Sequence, residues 1–134
     1  MTSAEARDAI YKVMRDAWDA AHPILWDDVP SKVPDEEIPW ARVKLTHVTG
    51  AHGTINGQVG CRRFDSTGFV TVQVFAPVGD GKARVLNLAQ TVRYAYEDAR
   101  LPVWFRNIRV NEIGPSGNYQ QINVIADFEY DTVR

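Results

Sequence analysis

The feature that most constrains the fold is an alternation near the C-terminal end of the chain. Residues 119–130 place apolar side chains at every second position and polar side chains between them. The apolar positions are Ile122, Val124, Ala126, Phe128 and Tyr130, and the polar positions include Gln121, Asn123, Asp127 and Glu129. A period of two is that of a β-strand with one face toward a core. The chain must therefore build a sheet that is covered on one face.

Two amphipathic segments can supply that cover. Residues 3–21 carry an apolar stripe at helical spacing, with Thr2 and Glu5 spaced as a capping box and Pro23 beyond the end. The stripe consists of Ile10, Val13, Met14, Ala17, Trp18 and Ala21. Residues 82–100 form a second such segment, which ends before Pro102. Both are predicted to be helices packed on the sheet.

The remaining segments predict further strands joined by turns. WARVKLTHV, beginning at Trp40, alternates in the same way, and further strands are expected at residues 59–66, 69–76 and 103–113. Asp65 to Gly68 have the composition of a hairpin turn. Residues 48–58 are rich in glycine and predict a mobile hairpin loop. Residues 22–38 predict an extended connector, which Trp26 and Val29 attach to the core.

The order of elements predicts the fold class. A helix, three strands, a second helix and two strands indicate an α+β fold with a mostly antiparallel sheet of about five strands and both helices on one face. A chain of 134 residues is expected to form one domain, residues 1–134.

The segment GDGK, before the second helix, raises the question of a phosphate-binding loop. Such a loop needs GxxxxGK followed by Ser or Thr. Here Ala83 follows Lys82, Ala76 stands where the first glycine is needed, and Pro77 lacks a backbone N–H. The segment is therefore interpreted as a connection between strand and helix.

Other catalytic or metal-binding patterns are weak. Cys61 could act as a nucleophile if a histidine activated it, but neither His47 nor His52 has an evident orienting partner. The histidines and acidic residues show no metal-ligand spacing. The single cysteine fits a reducing compartment, and the N-terminus lacks the apolar core of a signal peptide. A net charge of -2 argues against broad binding to a phosphate backbone.

One stretch carries a more specific signal. GQVGCRRFDSTGFVTVQVFAPVGDGKARVLNLA, residues 57–89, resembles the tail terminator-like family of long-tailed bacteriophages. The resemblance rests on Arg63-Phe64, on TVQVF at residues 71–75, on Pro77, Gly79 and Gly81, and on Leu88-Ala89. The closing segment GPSGNYQQINVIADFEYD is similar to the family's final hairpin.

The resemblance implies a structural virion protein without a cofactor, not an enzyme. Such terminators form a six-membered ring on the completed tail tube, stop its polymerisation and help to join tail to head. The implied partners are further copies in a homo-hexamer, the tail tube protein and a head-completion or connector protein, with no membrane and no tight nucleic-acid binding, although DNA may pass through the ring. The implied location is the head-proximal end of the virion tail, and the host cytoplasm during assembly. A tail-tube or head-completion subunit is the alternative, and a small cytoplasmic enzyme using Cys61 is a further one.

A ring requires one surface patch on each subunit to meet a different patch on the next. Opposite charges, such as Arg62 and Arg63 against Asp127 and Glu129, could supply this contact. The residues hypothesised to lie at an interface are Arg42, Lys44, Gly50, His52, Asn56, Arg62, Arg63, Asp127 and Glu129.

Overall fold

The computed structural model describes residues 2–30, 32–34, 38–52, 63–99 and 102–133. The helices are α1 (Ser3–Ala17) and α2 (Lys82–Asp98), and a short 3-10 turn, Val78–Asp80, precedes α2. The strands are β1 (Ile24–Trp26), β2 (Trp40–His52), β3 (Arg63–Pro77), β4 (Trp104–Ser116) and β5 (Tyr119–Val133).

The five strands form one sheet in the order β1-β2-β3-β5-β4. All neighbouring pairs are antiparallel except β1 and β2, which are parallel. This arrangement confirms the predicted α+β fold with two helices and a mostly antiparallel five-stranded sheet.

The core lies between the helices and one face of the sheet, called here the covered face. In its central row Val72 of β3 stands between Val43 and Val124, and all three side chains are buried. From α2, Val92 is fully buried in the same cluster, whereas Leu88 is only partly buried. The covered face is therefore the one that the alternation of β5 predicted.

Helix α1 begins where predicted but ends four residues early, which corrects the expected range of 3–21. The Glu5 N–H donates to the Thr2 hydroxyl at 3.1 Å, so Thr2 caps the helix. Trp18 has an extended backbone, and its indole N–H donates to the His22 carbonyl at 3.0 Å. Because the chain must turn back to enter β1, the last residues of the apolar stripe leave the helix.

The predicted connector contains a strand that the sequence did not reveal. β1 pairs with β2 over three residues, too few for a period to be recognised. Trp26 packs on the core and stacks on Tyr11 at 4.5 Å between ring centroids, as expected of an anchoring residue. Val29 is 48% exposed, so its predicted role in the core is wrong.

Charged side chains hold the turn after β1 against α1. Arg7 bonds to Asp28 at 2.6 Å, and this guanidinium holds the pKa of the Asp28 carboxyl below its ordinary value. The Tyr11 hydroxyl donates to Asp27, and burial together with this bond raises the pKa of Tyr11. The other Asp27 oxygen accepts from the Leu45 N–H at 3.3 Å, which ties the turn to β2.

The predicted hairpin at Asp65 to Gly68 is wrong, because β3 is one continuous strand through these residues. The predicted strands at 59–66 and 69–76 therefore merge, with residues 59–62 outside the described residues. A Cβ on Gly68 would meet the Thr46 carbonyl oxygen at 2.1 Å and Phe128 at 2.6 Å. Glycine is needed here for close approach between strands rather than for a turn.

The first residues of the predicted glycine-rich loop, residues 48–58, belong to a strand. Gly50 and His52 belong to β2 and pair with Ser66 and Phe64 of β3, so residues 48–52 are strand rather than loop. Pairing with β3 continues after a shift in register between His47 and Thr49, because β3 is long enough to meet this part of β2. The rest of the predicted loop, including Asn56, lies outside the described residues.

Candidate assembly interface

The sheet face opposite the helices, called here the open face, is formed by the side chains that alternate with the core. From Gln121 to Tyr130, each partly buried residue is followed by a buried one. The partly buried residues of β5 lie on the same face as their cross-strand neighbours on β2, β3 and β4. Open-face side chains include Trp40, Arg42, Lys44, Phe69, Thr71, Gln73, Phe75, Arg106, Arg109, Asn123, Ile125, Asp127 and Glu129.

On the β4 side of the open face, arginines are paired with carboxylates. Arg106 bonds to Glu129 at 3.0 Å, and Arg109 bonds to Asp127 at 3.2 Å. Asn107, at a positive φ of 52°, also donates to Asp127 at 3.0 Å. This side of the face is therefore close to electrically neutral.

On the β2 side, Arg42 and Lys44 are both exposed, and neither forms an ion pair with a described residue. The Arg42 guanidinium lies 5.4 Å from the centre of the Trp40 ring, a cation–π arrangement. Gln73 lies beside Arg42 in the same row, and Thr71 lies beside Lys44. This side of the face presents positive charge among neutral polar groups.

An aromatic cluster lies at the same end. Trp40 stacks on Phe75 at 4.1 Å between ring centroids, and Tyr119 meets the Trp40 ring edge-on at 5.9 Å. With Leu25 they form a second, smaller apolar cluster. The Trp40 indole N–H is buried and has no hydrogen-bond acceptor within the described chain. The cluster borders a groove of about 270 Å³.

The two edges of the sheet differ in what they expose. At the β4 edge the backbone has no described strand on its outer side, and a groove there is lined by Leu86, Ala89, Gln90, Arg93 and Val110. Two bulges interrupt β4, as is common in edge strands. At the other edge, β1 pairs with β2 only at residues 41–43, so residues 46–52 pair with β3 on one side and have no described strand on the other.

The structure brings four of the predicted interface residues onto the open face: Arg42 and Lys44 on β2, and Asp127 and Glu129 on β5. The main chains of Gly50, His52 and Arg63 lie at the hairpin end of the sheet. Asn56 and Arg62 lie outside the described residues. Because Asp127 and Glu129 bond to Arg109 and Arg106 of their own chain, they are already paired before any neighbour arrives.

Sequence reasoning missed three contributors to this face: Arg106, Arg109 and the Trp40–Phe75 stack. The arginines carried a usable signal, because each lies on a strand predicted beside β5. Their pairing was hidden by the bulge between Arg106 and Arg109, which changes the register by which β4 meets β5. The aromatic stack joins residues distant in sequence, which no local pattern reports.

The segment before α2 acts as a connection, in line with its interpretation from sequence. Gly81, at a φ of 75°, begins α2, and the Lys82 ammonium bonds to Glu112 at 3.0 Å. Within the described residues, no group of three or more His, Cys, Asp and Glu side chains could hold a metal ion. No described helix is long and apolar enough to cross a membrane. Cys61 lies outside the described residues.

Comparison with known proteins adds two findings. A family model described as phage tail terminator protein matches residues 5–122. One solved protein chain superposes with a TM-score of 0.70 at 19% sequence identity, and the match covers 96% of this chain and 95% of that one. At that identity the likeness shows the fold alone. A search of curated proteins gave no significant match.

Proposed function

The chain belongs to the phage tail terminator family, and from that premise we propose that it caps the tail tube as a ring. The family gives it a structural role in the phage tail and implies a non-enzymatic protein. We propose further that six copies close the ring, end tube polymerisation and present the surface that joins tail to head. The proposed location is the head-proximal end of the tail, with assembly in the host cytoplasm.

The observation that carries this proposal is the extent of the family match. Residues 5–122 include most of α1, all of α2, the first four strands and the start of β5. The match therefore involves most of the architecture rather than one short motif. The proposed partners are the tail tube protein on one side and a head-completion or connector protein on the other.

The unlike edges of the sheet support a ring. A closed ring of identical subunits with cyclic symmetry needs two different patches on each subunit. Here one edge offers β4 with the groove of Leu86, Arg93 and Val110, and the other offers the part of β2 that β1 does not pair with. These patches lie at opposite ends of the strand order, where consecutive subunits of a ring would meet.

Strand direction is compatible with direct pairing between subunits. Three antiparallel steps separate β2 from β4, so these two strands run in opposite directions. If the ring axis is parallel to the strands, the rotation that relates two subunits leaves the direction of every strand unchanged. This rotation would place β4 of one subunit antiparallel to β2 of the next. Edge strands carry unpaired N–H and C=O groups that such pairing would satisfy.

The ring is tested by native mass and electron microscopy of the purified chain, alone and mixed with purified tail tubes. We expect one closed oligomer, of six copies, and tubes capped at one end. Long tubes formed by the chain alone would identify a tube subunit instead. A chain that never binds tube ends would reject the capping role.

A matched pair of variants tests the edge. Val110→Lys adds a second cation to the β4 groove beside Arg93, where desolvation and repulsion between like charges should prevent ring closure. Val78→Lys places the same charge at another exposed valine, outside both edges, and should leave the ring intact. Both should unfold at the wild-type temperature. Equal oligomer masses for the two variants would remove the β4 groove from the interface.

A further inference from the structure

We infer that one end of the open face is a docking site for an acidic segment of a second protein. This basic end consists of Trp40, Arg42, Lys44, Gln73, Tyr119 and Gln121. The identification of the second protein as another tail or head component rests on the proposed function. The preference of the site for an acidic segment is independent of that function.

The first observation is an imbalance of charge pairing on one face. Arg106 and Arg109 each bond to a carboxylate at close range, whereas Arg42 and Lys44 bond to none within the described chain. Arg42 shares the groove with the uncharged amides of Gln73 and Gln121, and Lys44 lies opposite the uncharged Thr71. Positive charge therefore remains available at the basic end for a carboxylate from outside.

The second observation is a buried donor in the same place. Trp40 is only 4% exposed and lines the groove, and its indole N–H has no acceptor within the described chain. A buried donor without a partner costs free energy, which an acceptor would recover once docking gave it access to the indole nitrogen. Arg42 offers an exposed charged donor beside the aromatic rings of Trp40 and Tyr119. That combination suits a carboxylate on a peptide.

Nucleic acid fits the face less well than a peptide does. A phosphate backbone needs positive charge along an extended path. Asp65 of β3 lies opposite Asp131 of β5 on the same face toward the hairpin end, beyond the paired acids Asp127 and Glu129. Asp65 lies about 27 Å from Gln73 at the rise of a strand, so a phosphate backbone following the face would meet these acids. A short acidic segment can occupy the basic end alone.

A second copy of this chain is also a poorer occupant. The open-face acids Asp127 and Glu129 are already bonded to arginines of their own chain, so a second copy would not offer them as free carboxylates. In the proposed ring, neighbouring copies meet through the sheet edges and leave this face uncovered. The pairing of these two acids favours an acidic segment of a different protein as the occupant.

The test measures binding of labelled hexaglutamate by fluorescence anisotropy at low ionic strength. The double variant Arg42→Glu/Lys44→Glu should weaken binding by at least about tenfold, because two attractions become repulsions. The control is Arg15→Glu/Lys32→Glu, which changes the charge equally at two exposed cations that also lack a described ion-pair partner. The control should bind within about twofold of wild type. Thermal unfolding confirms that both variants fold.

A third variant isolates the indole donor. Trp40→Phe retains an aromatic ring on Phe75 but removes the N–H, and it should weaken hexaglutamate binding while Arg42 and Lys44 remain. If this variant is destabilised, binding is measured below its unfolding temperature. Unchanged affinity would remove Trp40 as a donor.

The remaining outcomes separate the occupants. Hexaglutamate that does not bind wild type, or that binds the double variant equally well, overturns the site. If duplex DNA binds to wild type, hexaglutamate does not, and the double variant no longer binds DNA, the surface is a nucleic-acid site instead. A lower native mass in the double variant would assign the face to a second copy. A chain that binds hexaglutamate but never caps tubes would reject the proposed function and keep this site.

Discussion

The covered and open faces of the sheet are built by neighbouring residues of the same strands, yet they obey different rules. On the covered face, Val72 and Val74 are fully buried among apolar side chains. On the open face, Thr71 and Gln73 lie one residue away and remain partly exposed. Apolar burial is the dominant favourable contribution to folding, so the covered face is the main source of stability.

The open face contributes mainly through local pairs. Its ion pairs are partly exposed, with side-chain exposure of 65% for Arg106 and 30% for Glu129. Pairs of this kind stabilise a protein by about 0–1 kcal/mol, far less than a buried aromatic residue does. Because the ion pairs of the open face contribute little to stability, charges on that face can change without loss of the fold. The open face can therefore carry a binding surface.

The largest effect is expected from the core. Phe128→Ala should lower the free energy of unfolding by about 3–5 kcal/mol, because the ring is 1% exposed and its removal leaves a cavity. The control is Phe69→Ala, which removes the same ring from the open face of β3 and should cost less than half as much. Urea denaturation measures both. Equal losses would mean that the two faces do not differ in packing.

Gly68 tests how tightly the covered face is filled. Gly68→Ala should lower the free energy of unfolding by about 1–3 kcal/mol, because the new Cβ meets the Thr46 carbonyl oxygen and the Phe128 ring. Gly79→Ala is the control, since nothing lies within 4 Å of a Cβ there. Thermal denaturation compares the two variants. If Gly68→Ala unfolds at the same temperature as wild type, β2 and β3 can move apart without loss of stability.

A pair of adjacent substitutions isolates polarity from volume. Val72→Thr places a hydroxyl in the covered face and should cost about 1–3 kcal/mol, since Val72 is fully buried between the valines at positions 43 and 124. Thr71→Val makes the reverse change on the open face and should alter stability by no more than about 0.5 kcal/mol. Urea denaturation at neutral pH distinguishes them. A similar cost for both would contradict the assignment of the faces.

The smallest effect is expected from the open-face ion pair. Glu129→Gln should lower the free energy of unfolding by less than about 1 kcal/mol, because Arg106 and Glu129 are both partly hydrated. A double-mutant cycle with Arg106→Gln gives the coupling energy. That coupling should shrink in concentrated salt, which screens exposed charges. A coupling that is large and independent of salt would place the pair in a buried environment.

The sequence predicted much of the candidate site but not its pairing. Strict alternation placed Arg42 and Lys44 opposite the core side of β2, and it placed Asp127 and Glu129 opposite the core side of β5. It did not predict that Asp127 and Glu129 are neutralised by β4, because a bulge shifts the register there. Only the structure divides the face into a paired side and a side whose cations lack carboxylates.

What the sequence determined by itself is the set of features that depend on the backbone period. The repeat of two in β5 identified which residues face the core, and the spacing of Thr2 and Glu5 identified the start of α1, because both patterns are local. The tertiary structure decided what depends on distant neighbours. Gly68 reads locally as a turn residue, yet it lies within β3 because Phe128, sixty residues later, occupies the space that a side chain would need.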